Sequence, residues 1–177
     1  MRTLVIYESM YGNTHAIADA IGDGLRSAGE TRVVNVANAT EDLEAWADLI
    51  VVGGPTHVHG MTHERTRDAA REMAQKPNSE MTLDPSASGP GIREWLESLV
   101  AGSGKRAAAF DTRAQGPALL TGRASAGIAN VLRRRGFRLL AEAESFLIDG
   151  HSKLLAGELD RARDWGAILA SELVLAG

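Results

Sequence analysis

Residues 7–15 have the sequence Tyr7-Glu8-Ser9-Met10-Tyr11-Gly12-Asn13-Thr14-His15, a polar stretch between two apolar segments. Residues 4–6, just before it, form an apolar run that predicts a buried strand. Residues 13–28 carry apolar side chains at helical spacing and predict a helix. The stretch therefore joins a strand to a helix N-terminus, where main-chain N–H groups are unpaired and the helix dipole is positive. Such a turn suits a phosphate group.

The residue types in this turn favour an anion site built from neutral donors. Gly12 lets the backbone close tightly, and Ser9, Asn13 and Thr14 can add side-chain donors. The turn has no Lys or Arg, so dipoles rather than cations would hold the phosphate. An ordinary strand-to-helix turn with a Ser or Asn cap is the alternative interpretation.

Composition limits the class of protein. The 177 residues fit a single domain, residues 1–177, and 44% hydrophobic with 24% charged residues is ordinary for a globular protein. A net charge of -4 without a basic stripe disfavours nucleic acid as a partner. The absence of cysteine excludes disulfides, thiolate nucleophiles and iron–sulfur clusters. With no apolar run of membrane-spanning length and no signal-peptide pattern before the first strand, we expect a cytoplasmic protein without a membrane partner.

Strands and helices alternate along the chain. Strands are predicted at residues 3–7, 31–36, 49–54 and 106–110, with a fifth strand region framed by 137–140 and 145–148. Helices are predicted at residues 13–28, 41–46, 63–75, 92–99, 121–135 and 155–175, and an irregular loop at 76–91. This alternation predicts an α/β fold, a doubly wound five-stranded parallel sheet of order 2-1-3-4-5 with helices on both faces.

Helical spacing also predicts which side chains face the core. In the helix at 63–75 the expected inner positions are Ala69, Ala70, Met73 and Ala74. In the final helix they are Leu159, Ala162, Trp165, Ile168, Leu169 and Leu173. All three tryptophans have apolar neighbours at helical spacing, and we expect them in the core.

Three unusual turns follow strands one, three and four of the predicted sheet, at residues 9–14, 55–61 and 111–116. In the order 2-1-3-4-5 these strands are neighbours, so their carboxyl ends bring the three turns together. One turn suits a phosphate, and the other two can hold a flat group between them. The arrangement predicts a site for a mononucleotide with a large ring.

The turn at residues 9–14 resembles the phosphate-binding loop of the flavodoxin family, in which hydroxyl, glycine and hydroxyl recur at this spacing. Residues 53–61 resemble that family's second flavin loop, and Asp111-Thr112-Arg113 stands where its third loop would be. The resemblance implies flavin mononucleotide (FMN), its phosphate on residues 9–14 and its isoalloxazine ring between residues 55–60 and 111–115. The cofactor-binding residues that it implies are Ser9, Met10, Tyr11, Gly12, Asn13, Thr14, Pro55, Thr56, His57, Val58, His59, Gly60, Asp111, Thr112, Arg113 and Gln115.

Two features differ from the short electron carriers of that family. Those proteins usually stack Trp or Tyr on the ring, whereas the nearest flat side chains in the two later loops here are His57, His59 and Arg113. They are also much more acidic than this chain. A metal site at His57, His59 and His63 is an alternative that we do not favour, and we predict no metal. Asp111-Thr112-Arg113 has the alternative interpretation of a surface ion pair.

The sequence leaves two functions open. The first, which we favour, is an FMN-binding redox protein that transfers electrons to a partner protein or a small-molecule acceptor, as a monomer and without catalytic residues of its own. The alternative is an FMN-dependent NAD(P)H:quinone-type oxidoreductase of the same fold, in which the flavin does the chemistry and the protein positions it. A phosphoacceptor receiver domain is disfavoured because Glu8 is a lone acid after the first strand.

Overall fold

The computed structural model describes residues 1–175. The strands in this range are β1 (Arg2–Tyr7), β2 (Glu30–Asn35), β3 (Leu49–His57), β4 (Gly60–Met61), β5 (Arg106–Ala114), β6 (Arg138–Leu139) and β7 (Glu144–Ile148). The α-helices are α1 (Asn13–Leu25), α2 (Glu41–Trp46), α3 (Glu64–Ala74), α4 (Ile92–Ser98), α5 (Ala118–Thr121), α6 (Ala124–Arg134) and α7 (Glu158–Leu175). Within these residues no helix is long and apolar enough to cross a bilayer.

The sheet has the order β2-β1-β3-β5-β6, with β7 also paired to β5. All these pairs are parallel, and only the two-residue β4 runs antiparallel, against β3. The predicted doubly wound α/β class and the order of its strands are confirmed. The predicted number of five strands is wrong, since residues 1–175 contain seven.

The extra strands have a local cause at the fifth position of the sheet. Ala107 pairs with Leu139 in β6, and Phe110 pairs with Glu144 in β7. Between these pairs β5 advances by three residues and its neighbour by five, so two residues cannot fit the ladder. The chain bulges out there and resumes pairing as β7, and β4 arises from the hairpin that ends β3.

The core lies on both faces of the sheet, as expected for parallel strands covered by helices. On one face α1 and α7 cover the sheet. Trp165 of α7 packs there with Phe110 and Phe146 of the strands, and the three rings lie edge to face with centroids 6.2–6.4 Å apart. On the other face α2, α4 and α6 cover the opposite side chains of the same strands. The alanines at 107–109 in β5 are fully buried and let the helices approach closely.

Glycines set the close crossing of α1 and α7. A Cβ on Gly24 would lie 2.1 Å from the carbonyl oxygen of Arg163, and one on Gly166 would lie 2.3 Å from that of Ile21. This contact rotates α7 so that Ala162, Trp165, Leu169 and Leu173 are buried, as predicted. Ile168 is 56% exposed and Leu159 is also exposed, so these two predicted core positions are wrong.

Helix α3 departs most from the prediction. Its buried residues are Arg67 and Ala70, while Ala69 and Met73 are exposed. The helix packs over the turn after β1 rather than on the sheet, and Ala70 contacts Met10 there. In the connection from β3 to β5, the helix whose side chains enter the core on the sheet is α4. Spacing alone could not reveal this, because an arginine occupies an inner position of α3.

Candidate functional site

The three predicted loops meet at one edge of the sheet. Tyr7 at the end of β1 pairs with Gly53 of β3, and Gly53 pairs with Phe110 of β5. The next pairs along, up to Pro55 with Thr112, bring the ends of β3 and β5 together. The turns after β1, β3 and β5 are therefore neighbours, as the predicted strand order required.

The turn after β1 has the geometry of an anion site. Gly12 is the N-cap of α1 with φ of 87°, a left-handed conformation that favours glycine, and its N–H donates to Ser9 Oγ at 3.1 Å. Within residues 1–175 the main-chain N–H groups of Tyr11, Asn13 and Thr14 donate no hydrogen bond. A Cβ on Gly12 would meet no atom closer than 3.9 Å, so there is open space on that side of the turn. Unpaired amides at the positive end of a helix dipole suit a phosphate.

Side chains of this turn tie it to other loops. The Thr14 hydroxyl lies 2.7 Å from the Thr112 hydroxyl, and both are buried. Asn13 Nδ2 donates to the carbonyl oxygen of Ser152 at 2.7 Å. The Tyr11 hydroxyl donates to the carbonyl of Ala70 at 3.0 Å, so Tyr11 packs against α3 rather than pointing outward. Hydrogen bonds to β5, to the loop after β7 and to α3 thus fix the turn in place.

The second loop is a tight hairpin between β3 and β4. Thr56 pairs with Met61 and His57 with Gly60, which leaves Val58 and His59 at the tip with φ of 46° and 71°. Buried Pro55 precedes them in β3. Burial lowers the pKa of His57, and its Nδ1 is buried without a partner in residues 1–175. A neutral imidazole with an unpaired ring nitrogen can bind a polar ligand group.

Residues of the third loop form hydrogen bonds that support the site. Asp111 is fully buried, and its Oδ2 accepts hydrogen bonds from Thr56 Oγ1 at 3.1 Å and from the Ser125 N–H at 2.8 Å. This carboxylate anchors the N-terminus of α6, where the dipole favours a negative charge. Arg113 Nη1 donates to the Gly116 carbonyl and to Thr121 Oγ1, both at 2.9 Å. The alternative of an exposed Asp111–Arg113 ion pair is therefore wrong.

The second loop also touches the segment that follows the third loop, and the third loop touches β7. His59 forms an isolated bridge with Gly122, and a Cβ on Gly122 would lie 2.2 Å from the His59 Cα. The Gln115 N–H donates to the Ile148 carbonyl at 3.0 Å and continues the β5–β7 pairing by one residue. Together these contacts fix the walls of the predicted ring site.

Two of the three tryptophans predicted in the core are buried there, and the prediction for Trp46 is wrong. Trp95 and Trp165 are buried in the two cores, and Trp46 is half-buried beneath the Arg32 guanidinium at 4.2 Å. None of the three lies in the loops at the site. His15 stacks on Tyr7 with ring centroids 4.5 Å apart. Within residues 1–175 no three His, Asp or Glu side chains are grouped to hold a metal ion.

One acidic residue beside the site was missed by sequence reasoning. Asp84, in the loop between α3 and α4, donates its N–H to the Met10 carbonyl at 2.8 Å, and its carboxylate lies 3.1 Å from His15 Nδ1. Burial raises the pKa of Asp84, but hydrogen bonds from Ser86 and His15 outweigh it, so the net pKa lies below its usual value. The Asp84-Pro85-Ser86 turn signal could have indicated an ordered segment there.

A second buried acid supports the same loops. The Glu8 carboxylate accepts hydrogen bonds from Thr62 Oγ1 at 2.5 Å and from the Ile92 N–H at 2.8 Å. Arg67 forms a double hydrogen bond with Glu94, both at 3.1 Å, beside them. Glu8 thus links the base of the first turn to the segment after the hairpin and to the start of α4.

A cavity of about 580 Å³ lies beside the first turn. It is bounded by the end of α3, the following residues 76–81, and Gly150 with His151 from the loop after β7. Ser152, the residue after His151, accepts the hydrogen bond from Asn13, but residues 9–14 do not line the cavity. It has room for a small organic molecule.

Comparisons with known proteins place the chain in a family. The family model described as flavodoxin matches residues 5–109. The curated flavodoxin of Aquifex aeolicus (strain VF5) is 39% identical over 59 residues, which are 32% of this chain and 32% of that protein. The chain thus matches about a third of the length of that relative.

Solved structures share the fold across nearly the whole chain. A flavodoxin from the domain Archaea has a TM-score of 0.67 at 22% identity, over 98% of this chain and 99% of that one. A WrbA-like flavodoxin of Agrobacterium tumefaciens has a TM-score of 0.64 at 22% identity, over 99% of both chains. The flavodiiron protein of Giardia intestinalis has a TM-score of 0.64 at 20% identity, over 98% of this chain and 36% of that one. With a family match covering more than half of its residues, the chain belongs to the flavodoxin family, whose proteins bind FMN.

Proposed function

We propose that the chain is an electron-transfer protein that works through bound FMN. The observation that carries this proposal is the set of unpaired amides at Tyr11, Asn13 and Thr14, beside two further loops that the Thr56–Asp111 hydrogen bond joins. Neutral donors at a helix N-terminus fit the phosphate. FMN supplies the redox chemistry when bound, and the protein binds and tunes it.

Each loop has a proposed role toward FMN. The turn at residues 9–14 binds the phosphate through main-chain N–H groups. Residues 55–60 and 111–115 flank the ring, with the neutral His57 imidazole as a polar contact. Arg113 contributes a positive charge near the ring, which favours the reduced, anionic form by Coulomb attraction.

The partner and the setting are also proposals. A family of electron carriers passes electrons to redox partners, and we propose a partner protein or a small-molecule acceptor for this chain. We further propose a monomer of one domain in the cytoplasm that binds neither nucleic acid nor membrane. The net charge of -4 and the scattered cations support the exclusion of nucleic acid.

The test is reconstitution followed by redox cycling. Protein mixed with FMN and freed of excess ligand should be yellow, should be bleached by dithionite, and should regain colour when an electron acceptor is added. A protein that stays colourless after this treatment would contradict the proposal.

A second candidate is the FMN-dependent NAD(P)H:quinone-type oxidoreductase, in which the flavin would reduce a small substrate. The structural similarity to a WrbA-like flavodoxin agrees with this candidate only at the level of the fold. Oxidation of NADPH by benzoquinone over many turnovers of the FMN-loaded protein would replace the carrier proposal with the enzyme.

A further inference from the structure

A cleft of about 480 Å³ lies between α4 and α6. Its residues on α6 and at the end of that helix run from Gly127 to Arg135, so the cleft follows the helix for about 12 Å. Residues 9–14, 55–60 and 111–115 do not line it. The cleft is therefore outside the proposed FMN site.

Part of the wall of this cleft is apolar. Buried Leu96 and half-buried Met61 and Val131 contribute side chains to it. The Met61 Cε lies 3.3 Å from the position that a Cβ on Gly127 would occupy, so the glycine leaves room for the methionine. Exposed Asn130 adds an amide that can donate and accept hydrogen bonds. The wall can thus contact an organic group that has both apolar and polar parts.

The charged side chains of the cleft are mostly positive. Three arginines and one glutamate line it: Arg93, Arg134, Arg135 and Glu97. Within residues 1–175 none of these arginines forms an ion pair with a carboxylate. Arg67 of the neighbouring α3, by contrast, is paired with Glu94. The cleft therefore has an excess of two positive charges that no carboxylate of the described chain neutralises.

Neutral groups fix two of the three guanidinium groups. Arg93 donates from Nε to the Thr62 carbonyl at 3.0 Å and from Nη2 to the Met61 carbonyl at 2.9 Å. Arg135 donates from Nη2 to the Glu97 carbonyl, and exposed Arg134 donates no hydrogen bond within residues 1–175. Main-chain carbonyls orient a guanidinium without cancelling its charge. Because each guanidinium has five N–H groups, all three arginines keep donors for a ligand.

The charge and the donors of the cleft suit a phosphate ester. Guanidinium groups bind phosphate oxygens through paired N–H···O hydrogen bonds. A phosphate monoester carries about −1.5 to −2 charges at pH 7, which matches the positive excess, whereas a single carboxylate would leave part of it unbalanced. The cleft volume lies within the range of small-molecule sites, about 300–1,000 Å³.

We propose that the cleft between α4 and α6 binds an organic phosphate monoester with an apolar or aromatic body, about the size of a mononucleotide. The phosphate binds the arginines, and the body contacts Met61, Leu96 and Val131. This site goes beyond the proposed function, because it differs from the FMN site in place and in chemistry. The turn at residues 9–14 has no cation, whereas the cleft supplies three.

Isothermal titration calorimetry of the FMN-loaded protein, freed of excess FMN, tests the proposal. The probes are adenosine 5′-monophosphate (AMP), adenosine, which lacks the phosphate, and inorganic phosphate, which lacks the organic body. We expect one AMP to bind per chain, about tenfold more tightly than either of the other two probes.

Two neighbouring arginines give a matched pair of variants. Arg134→Gln removes an exposed guanidinium of the cleft that makes no hydrogen bond, and it should lower AMP affinity about tenfold. Arg133→Gln removes the same charge from the same end of α6, but Arg133 does not line the cleft and donates to Asn130 Oδ1 at 3.2 Å. This control should change AMP affinity less than about twofold.

A third variant tests the sign of the charge effect. Glu97→Gln removes the carboxylate of the cleft and keeps the main-chain carbonyl to which Arg135 donates. It should raise AMP affinity about threefold. FMN affinity is measured separately for every variant and should not change. If the protein takes up no FMN, the proposed function fails, while the loss of AMP affinity in Arg134→Gln still reports on the cleft in the apoprotein.

Three results would overturn the proposal. One is the absence of saturable AMP binding at millimolar concentrations, and another is equal affinity for AMP and adenosine. The third is an equal loss of AMP affinity in Arg134→Gln and Arg133→Gln, because AMP would then be attracted by the general charge at the end of α6 and not bound in the cleft.

Discussion

Replacing Asp84 with asparagine should strengthen FMN binding. Its Oδ2 lies 3.9 Å from the position that a Cβ on Gly12 would occupy, so a negative charge borders the amides proposed to bind phosphate. For like unit charges about 6 Å apart, Coulomb's law gives a repulsion of about 0.7 kcal/mol in water and about 2.8 kcal/mol at an effective dielectric constant of 20. A value near the middle of this range corresponds to about tenfold in affinity.

The substitution keeps the local structure. The amide side chain of the Asp84→Asn variant retains an acceptor oxygen for the Ser86 N–H, which Asp84 Oδ1 binds at 2.8 Å, and the variant retains the main-chain bond to Met10. Asp19→Asn is the matched control, because Asp19 Oδ2 also lies near His15, at 3.6 Å from Nε2, but on the exposed surface of α1. The control should leave FMN affinity unchanged.

Fluorescence titration of the apoprotein with FMN and with riboflavin measures the effect. Asp84→Asn should raise FMN affinity about tenfold at low salt and leave riboflavin affinity unchanged, because riboflavin has no phosphate. The gain should shrink as salt rises. A lower FMN affinity, or equal changes for both ligands, would show that Asp84 positions the turn instead of repelling the phosphate, and the electrostatic reasoning would be refuted.

Three further changes test the fold around the site. Val58→Asn should raise the unfolding free energy of the apoprotein by about 1 kcal/mol in urea, because asparagine tolerates the left-handed conformation; no gain would show that the hairpin tip is unstrained. Gly53→Ala should lower the unfolding free energy by about 1–3 kcal/mol, since the new Cβ would lie 2.2 Å from the Phe110 ring. Adding Phe110→Leu to this variant should restore part of the loss. An unchanged stability of Gly53→Ala would contradict the packing. Burial raises the pKa of Glu8 from its usual 4.5, so the folded state holds its proton more tightly than the unfolded chain. Wild type should therefore lose stability relative to Glu8→Gln as pH rises from about 4.5 toward neutrality, and a constant difference over that range would exclude a raised pKa.

Much of the fold follows from patterns in the sequence. The continuous apolar run at 49–54 predicted a strand covered on both faces, and its glycine-containing end indicated where the second loop begins. Strand lengths were underestimated because polar residues continue the ladders: β3 runs to His57 and β5 to Ala114. Thr112 continues β5 because its hydroxyl has a buried partner, Thr14, which is distant in sequence.

The remaining errors have a common physical origin. Arg67 is buried because Glu94, 27 residues later, pairs with it, and Asp84 reaches the first turn through the carbonyl of Met10. Ile168 is exposed because the glycine contact between α1 and α7 sets the rotation of the last helix. Each outcome depends on a tertiary partner, which local periodicity cannot contain.

The most direct test of the account is the affinity of the apoprotein for FMN compared with riboflavin. The unpaired amides of Tyr11, Asn13 and Thr14 should each donate to the phosphate, and hydrogen bonds to a charged group contribute about 1.5–3 kcal/mol apiece. We therefore predict a one-to-one FMN complex that is at least about 100-fold tighter than the riboflavin complex. Equal affinities for the two flavins would contradict the assignment of the first turn as the phosphate site.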